Sequence, residues 1–255
     1  MAREVRLRFH PLSALDEGPQ ALDEAGLRYL IGALRLRHGQ ALTLFDGAGM
    51  LRPARLEERA GAWVLCAAGE CFPGRVAAPV SLAFALPKGE KLDLVARQCC
   101  ELGLQRLYLW SAARSVTRWA PARITHKLAR LARVTAEAAR QCGRADELEV
   151  VGPLSLSELI TESAHYESRL VLSPEAPEPW PTTTAAPAIL LVGPEGGVSD
   201  EEQSTLQEAG WRAVRWSTPV LRTETAAVVG AALALAATGQ LSEGTPSAAP
   251  SLSLD

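Results

Sequence analysis

The sequence predicts an α/β protein in which a small β-rich unit precedes a parallel sheet flanked by helices. Three observations carry this. From Pro79 onward, short apolar runs alternate with stretches of helical period, as in successive βαβ units. Before Pro79, alternating runs are separated by tight-turn signals, of which Asp46-Gly-Ala-Gly49 is the strongest. Two loops, Gly193-Pro-Glu-Gly-Gly197 and Pro219-Val-Leu-Arg-Thr-Glu-Thr225, each lie between a strand pattern and a helix. That is where ligands collect in open α/β sheets.

In chain order, Leu22 to Leu36 carries helical apolar spacing, and Ala41–Phe45, Leu51–Leu56 and Trp63–Ala67 read as strands of a compact barrel. Residues 1–75 form this first unit. Val80–Leu86 is a buried strand, Glu90–Leu102 a helix, Leu107–Trp110 a strand and Pro121–Cys142 a long helix. Arg169–Leu172, Ala188–Val192 and Ala213–Trp216 are strands. Ser199–Ala209 and the nearly all-apolar Thr223–Thr238 are helices. These elements make a second unit over 79–240. Five prolines in 173–187 predict an exposed extended loop without a site, and 241–255 reads as a flexible Ser/Pro/Ala-rich tail.

No run approaches the ~20 apolar residues that span a bilayer. The first residues, Met1-Ala-Arg-Glu-Val-Arg, lack a signal-peptide core. A cytoplasmic protein is expected. The five cysteines form no C-x-x-C pair, and there are only four histidines, so neither a disulfide framework nor a metal site is expected. The net charge of −3 hides an asymmetry: +1 over 1–75, +5 over 76–150 and −9 over 151–255. Within 106–144 nine basic residues face one acid, Glu137. This reads either as a solvated helix face or as a basic patch for nucleic acid.

The paired Gly196 and Gly197 let backbone approach a ligand closely. Ser199 and Glu202 form an S-x-x-E capping box, whose helix leaves N–H groups free for an anion. The bland alternative is a well-capped turn. The loop matches neither G-x-G-x-x-G nor G-x-x-x-x-G-K-[ST], so no dinucleotide fold or P-loop is indicated. In the second loop Thr223 is placed to cap the apolar helix. Arg222 and Glu224 are either functional or members of a structural pair, Arg222 with Glu224 or with Glu195.

Gly193-Pro-Glu-Gly-Gly197, followed about 25 residues later by Leu221-Arg-Thr-Glu-Thr-Ala226, resembles the RsmE family. The likeness extends over Arg8-Phe-His10, Leu34-Arg35, Leu44-Phe-Asp-Gly47, Lys88-Gly-Glu-Lys91, Glu101-Leu-Gly103, Arg114 and Gln141-Cys-Gly-Arg144. Members of that family are SPOUT-class enzymes that methylate N3 of a uridine in 16S ribosomal RNA. The resemblance implies a PUA-like N-terminal barrel, a SPOUT domain with a deep trefoil knot, a homodimer and S-adenosylmethionine as cofactor. It places that cofactor against Leu191, Val192, Gly193, Glu195, Gly196, Gly197, Ser217, Pro219, Val220, Leu221, Arg222 and Thr223.

The chemistry adds roles. Uridine N3 must lose a proton before it attacks, so Arg222 and Arg114 are expected to supply positive potential at the base. Glu224 would orient Arg222 or accept the proton. RNA phosphates would lie along Arg8, Arg35, Arg114, Arg118, Arg123, Lys127, Arg140 and Arg144, with Arg130 and Arg133 in the same stretch. The chain departs from the family at Trp216-Ser-Thr-Pro219, where relatives carry Leu-Gly-x-Arg, and at Tyr29-Leu-Ile-Gly32, Gln98, Leu109 and Arg140. Two other readings stay open: a SPOUT enzyme acting on another RNA such as transfer RNA, and an RNA-binding or assembly module without catalysis.

Overall fold

The computed structural model describes residues 4–89, 91–216 and 219–241. They divide into two compact units. The first is made of residues up to Val76 together with Ala139–Glu147, and the second of Ala77–Ala138 and the chain from Leu148.

The first unit is built on β1 (Arg6–Arg8), β2 (Gln20–Ala21), β3 (Ala41–Phe45), β4 (Met50–Arg59), β5 (Ala62–Ala67) and β6 (Phe72–Pro73). They form one sheet in the order β1-β3-β4-β5-β2, with β6 on β4. β1 runs parallel to β3, and the other pairs are antiparallel. The predicted turn after β3 forms as expected: the Asp46 carboxylate accepts hydrogen bonds from the N–H groups of Ala48 and Met50, at 2.7 and 3.0 Å. Between β2 and β3 the helical period resolves into α1 (Glu24–Leu27), capped by Asp23, which continues as a π-helical turn over Arg28–Ala33. Leu7, Leu30, Leu42, Leu44, Leu56 and Leu65 fill the core.

The second unit follows the predicted alternation: β7 (Ala78–Ala85), α2 (Lys91–Leu102), β8 (Leu104–Trp110), α3 (Pro121–Cys142), β9 (Glu149–Leu154), α4 (Leu156–Glu162), β10 (Ser168–Leu172), β11 (Glu178–Pro179), β12 (Ala188–Val192), α5 (Asp200–Glu208), β13 (Arg212–Arg215) and α6 (Thr223–Ala237). The last turn of α3 belongs to the first unit. The seven strands are all parallel, in the order β11-β13-β10-β12-β7-β8-β9. Period-2 alternation sorts their side chains onto two faces. Ala83, Ala85, Tyr108, Trp110, Ile189 and Leu191 pack with Leu159 of α4 and Leu206 of α5. On the opposite face α6 lies so close that a Cβ at Gly230 would sit 2.4 Å from Leu190 Cδ2.

The short strands β1, β2 and β6 of the first unit were not anticipated, nor in the second were β9, whose Gly152-Pro153 interrupts the strand pattern, and the seven-residue α4. The proline-rich segment is also more ordered than an extended loop. Its β11 joins the sheet edge beside β13, Ala176 is buried, and Trp180 packs on Trp216 with ring centroids 5.5 Å apart.

Because all strands of the second unit are parallel, the segments leaving β7, β8, β10, β12 and β13 emerge at one edge. The candidate residues sit on those segments.

Candidate functional site

The first loop begins where β12 ends. Leu191, Val192 and Gly193 are buried, while Glu195, Gly196 and Gly197 face solvent. Gly193 has no room for a side chain, since a Cβ there would meet Val198 Cγ2 at 2.9 Å. Gly197 takes φ +73° and its N–H donates to Pro194 O at 2.9 Å, closing a tight turn. Only this second glycine of the pair uses the left-handed region. The capping box forms as expected, with Glu202 accepting from Ser199 N and Ser199 Oγ accepting from Glu202 N.

Glu202 does more than cap. Its other oxygen accepts the N–H of Ala113 at 2.6 Å, on the segment that leaves β8. The next residue, Arg114, donates from Nη1 to Gly196 O at 3.2 Å and Val198 O at 3.4 Å. Three hydrogen bonds therefore fasten the first loop and the start of α5 to the β8–α3 segment. Arg114 itself stays exposed.

The second fastening is ionic. Lys91, the first residue of α2, places Nζ 2.9 Å from Glu195 Oε1 and 3.1 Å from Glu224 Oε2. One ammonium thus ties the first loop to the start of α6. The pairing raises the Lys91 pKa, chiefly through Glu195 and then Glu224. The Glu195 carboxyl lies below its ordinary range, most of all because of Lys91. Glu224 is also lowered, first by its own backbone N–H and further by Lys91. Its side chain is 15% exposed.

These contacts correct the expectations for the second loop. Both glutamates that were candidates to pair with Arg222 are held by Lys91. Arg222 is exposed and makes no ion pair among the described residues. Thr223 does not cap α6: the N-cap position is Arg222, with no side-chain cap bond, and Thr223 Oγ1 donates to Glu224 at 3.3 Å. Pro219 and Val220 are exposed and Leu221 and Thr223 are half-buried. Ser217 lies outside the described residues, as does Thr218. Just before them, the departing residue Trp216 packs against Trp180 and Gly230.

The cations divide between the units. In the second unit Arg118 and Arg123 are exposed, Lys127 lies over the Trp119 ring at 4.7 Å, Arg130 pairs with Asp93 at 2.6 Å, and Arg133 is exposed. In the first unit Arg35 is exposed, Arg8 pairs with Glu147 at 2.9 Å, and Arg140 stacks over Tyr29 at 5.0 Å. Arg144 is a correction. Its side chain is 3% exposed and its Nε donates to Asp146 at 2.8 Å, so it is a buried structural cation and not a phosphate contact. Lys91 and the double role of Glu202 escaped the sequence reading. Lys91 stood in a quoted motif, but nothing in its spacing pointed to carboxylates 104 and 133 residues away.

Among the described residues no group of three or more His, Cys, Asp or Glu is arranged to hold a metal, and no helix is long and apolar enough to cross a membrane.

A family model described as an RNA methyltransferase domain matches residues 75–235. The ribosomal RNA small subunit methyltransferase E of Mycobacterium tuberculosis is 39% identical over 216 residues, covering 81% of this chain and 80% of the relative. That of Synechocystis sp. is 30% identical over 223 residues, covering 85% and 72%. A methyltransferase of Legionella pneumophila, solved in complex with bound S-adenosylmethionine, superimposes with a TM-score of 0.78 at 26% identity, over 93% of this chain and 99% of the other. The fold, the joined loops and this similarity agree: the chain belongs to the ribosomal RNA small subunit methyltransferase E family.

Proposed function

We propose that the protein transfers a methyl group from S-adenosylmethionine to N3 of a uridine in the 16S ribosomal RNA of the small subunit. The observation that carries this is the fastening of Gly193–Val198, Arg114 and the start of α6 into one site at the carboxyl edge of a parallel sheet. The residues fit the cofactor. Gly196 and Gly197, in the turn closed at Gly197, expose backbone at the edge, and Glu195 and Glu224 offer carboxylates to the ammonium of the molecule's amino acid end.

When bound, S-adenosylmethionine supplies a methyl group on a sulfonium, open to in-line displacement. This chain's residues have the complementary task of making N3 nucleophilic. Arg222, exposed and without an acidic partner among the described residues, and Arg114, exposed beside the first loop, raise the local positive potential. That potential favours the uridine anion and lowers the cost of losing the N3 proton. Glu224, held as a carboxylate of low basicity by Lys91 and its own N–H, is better suited to orienting Lys91 than to accepting that proton.

The finer fold reading accompanies this function: a deep trefoil knot in the second unit, and a PUA-like barrel in the six-stranded sheet. The homodimer has support in α6, where Val229, Leu233 and Ala236 form an exposed apolar stripe. The test is mass mapping of 16S ribosomal RNA from cells with and without the protein, joined to calorimetry with S-adenosylmethionine. One lost methyl-uridine together with cofactor binding supports the reading. Unchanged 16S RNA with a changed transfer RNA overturns the substrate, and no cofactor binding overturns catalysis. Arg222→Ala is expected to abolish methylation while the thermal midpoint stays unchanged.

A further inference from the structure

The segment between β8 and α3, Ser111–Ala120, is held at one side and bare at its middle. Ala113 is fixed by Glu202, and Arg114 by the carbonyls of Gly196 and Val198. Ser115 is buried, yet its hydroxyl makes no hydrogen bond, an uncommon condition for a buried polar atom. Val116, the next residue, is 71% exposed. The same stretch of chain carries Arg114, Arg118 and Arg123, all exposed, and Lys127 over Trp119. No Asp or Glu occurs anywhere from residue 102 to 136.

An exposed apolar side chain within a run of cationic residues has a specific use against RNA. The cations neutralise phosphates, while an apolar side chain fills space between bases where one has left the stack. The proposed reaction creates that need. N3 is the atom through which uridine pairs with adenine, so a paired or stacked uridine cannot present it to a methyl donor. Enzymes acting on an enclosed base must extrude it, at the cost of unstacking.

We propose that Val116 is a wedge that enters the RNA in place of the target uridine, steadying the extruded base beside the first loop. The hydrogen bonds of Arg114, two residues before it, to Gly196 and Val198 keep this segment beside the first loop. The inference rests on the proposed RNA methylation, and it commits to structured RNA as the occupant because the run from 102 to 136 carries cations and no Asp or Glu.

Val116 is largely exposed, so Val116→Ser tests the idea with little threat to the fold. The substrates are folded 16S ribosomal RNA and a fragment of it, centred on the mapped methyl-uridine, from which the opposing strand is deleted. Val116→Ser is expected to lower kcat on the folded RNA by about tenfold or more, with KM for RNA and S-adenosylmethionine affinity unchanged. On the fragment it is expected to match the wild type, and Val116→Leu to restore turnover on the folded RNA. Equal turnover by Val116→Ser and wild type on folded RNA overturns the wedge, as does an equal loss on both substrates. A wild-type protein that methylates neither RNA instead overturns the functional reading on which the wedge stands.

Discussion

At the scale of single residues, the site depends on one ammonium serving two carboxylates. Removing it in Lys91→Met leaves Glu195 and Glu224 facing each other without a cation. The titration midpoint of Glu224, followed by carboxyl carbon resonance, is then expected to move up toward the ordinary glutamate range. Cofactor affinity is expected to fall by roughly tenfold, near the low end for a charge-assisted hydrogen bond because these groups are partly exposed. The pH dependence follows from the directions. The two carboxyls are lowered, so the tie is fully present above the ordinary carboxylate range and is lost as pH falls through their depressed values. Lys91 is raised, so the tie persists through the ordinary lysine range and is lost only as pH rises beyond it. Unchanged Glu224 titration in Lys91→Met would falsify this account of the pair. Arg114 and Arg222 do different work: one hydrogen-bonds loop carbonyls, the other carries its charge at the entrance to α6.

At the scale of elements, the capping box of α5 joins local and long-range order. Glu202→Ala removes the partner of Ser199 N and Ala113 N together. The expected loss is about 1–2 kcal/mol in urea unfolding, the usual scale for a lost cap plus a stranded N–H, accompanied by reduced methylation. Ser199→Ala, which spares Ala113, is expected to cost about 1 kcal/mol and leave methylation near wild type. This division also shows why parts of the structure were legible in the sequence. Ser199 and Glu202 stand three residues apart and announce a helix start. Ala188–Val192 and Pro121–Cys142 carry uninterrupted patterns and form over those same bounds. β9 was not anticipated: Gly152 and Pro153 interrupt its apolar pattern, and the edge strand accommodates them through a register shift against β8, with Gly152 at φ +117°. Arg144 read as surface charge because composition cannot show that Asp146 folds back onto it. Lys91 was invisible as a bridge because its partners lie on the first loop and at the start of α6, which only the sheet order brings together.

At the scale of the whole molecule, an acidic protein with an acid-free cationic stretch is expected to bind RNA in a salt-dependent way. The outward stripe of α6 is expected to be covered by a second copy. Leu233→Asp should convert a dimer to a monomer in sedimentation equilibrium, and identical masses for variant and wild type would remove the stripe from the interface. The division of the chain carries a consequence for synthesis. Ala145 contributes to the Phe45–Leu51 core of the first unit, and Arg6 Nη1 donates to Arg144 O. The amino-terminal unit thus takes core residues encoded some 70 positions beyond its own last strand. On a translating ribosome it must wait, incomplete, until β7, α2, β8 and α3 have been made. A peptide ending at Val76 would lack those contributions, so the two units are products of one uninterrupted act of translation and not exchangeable cassettes.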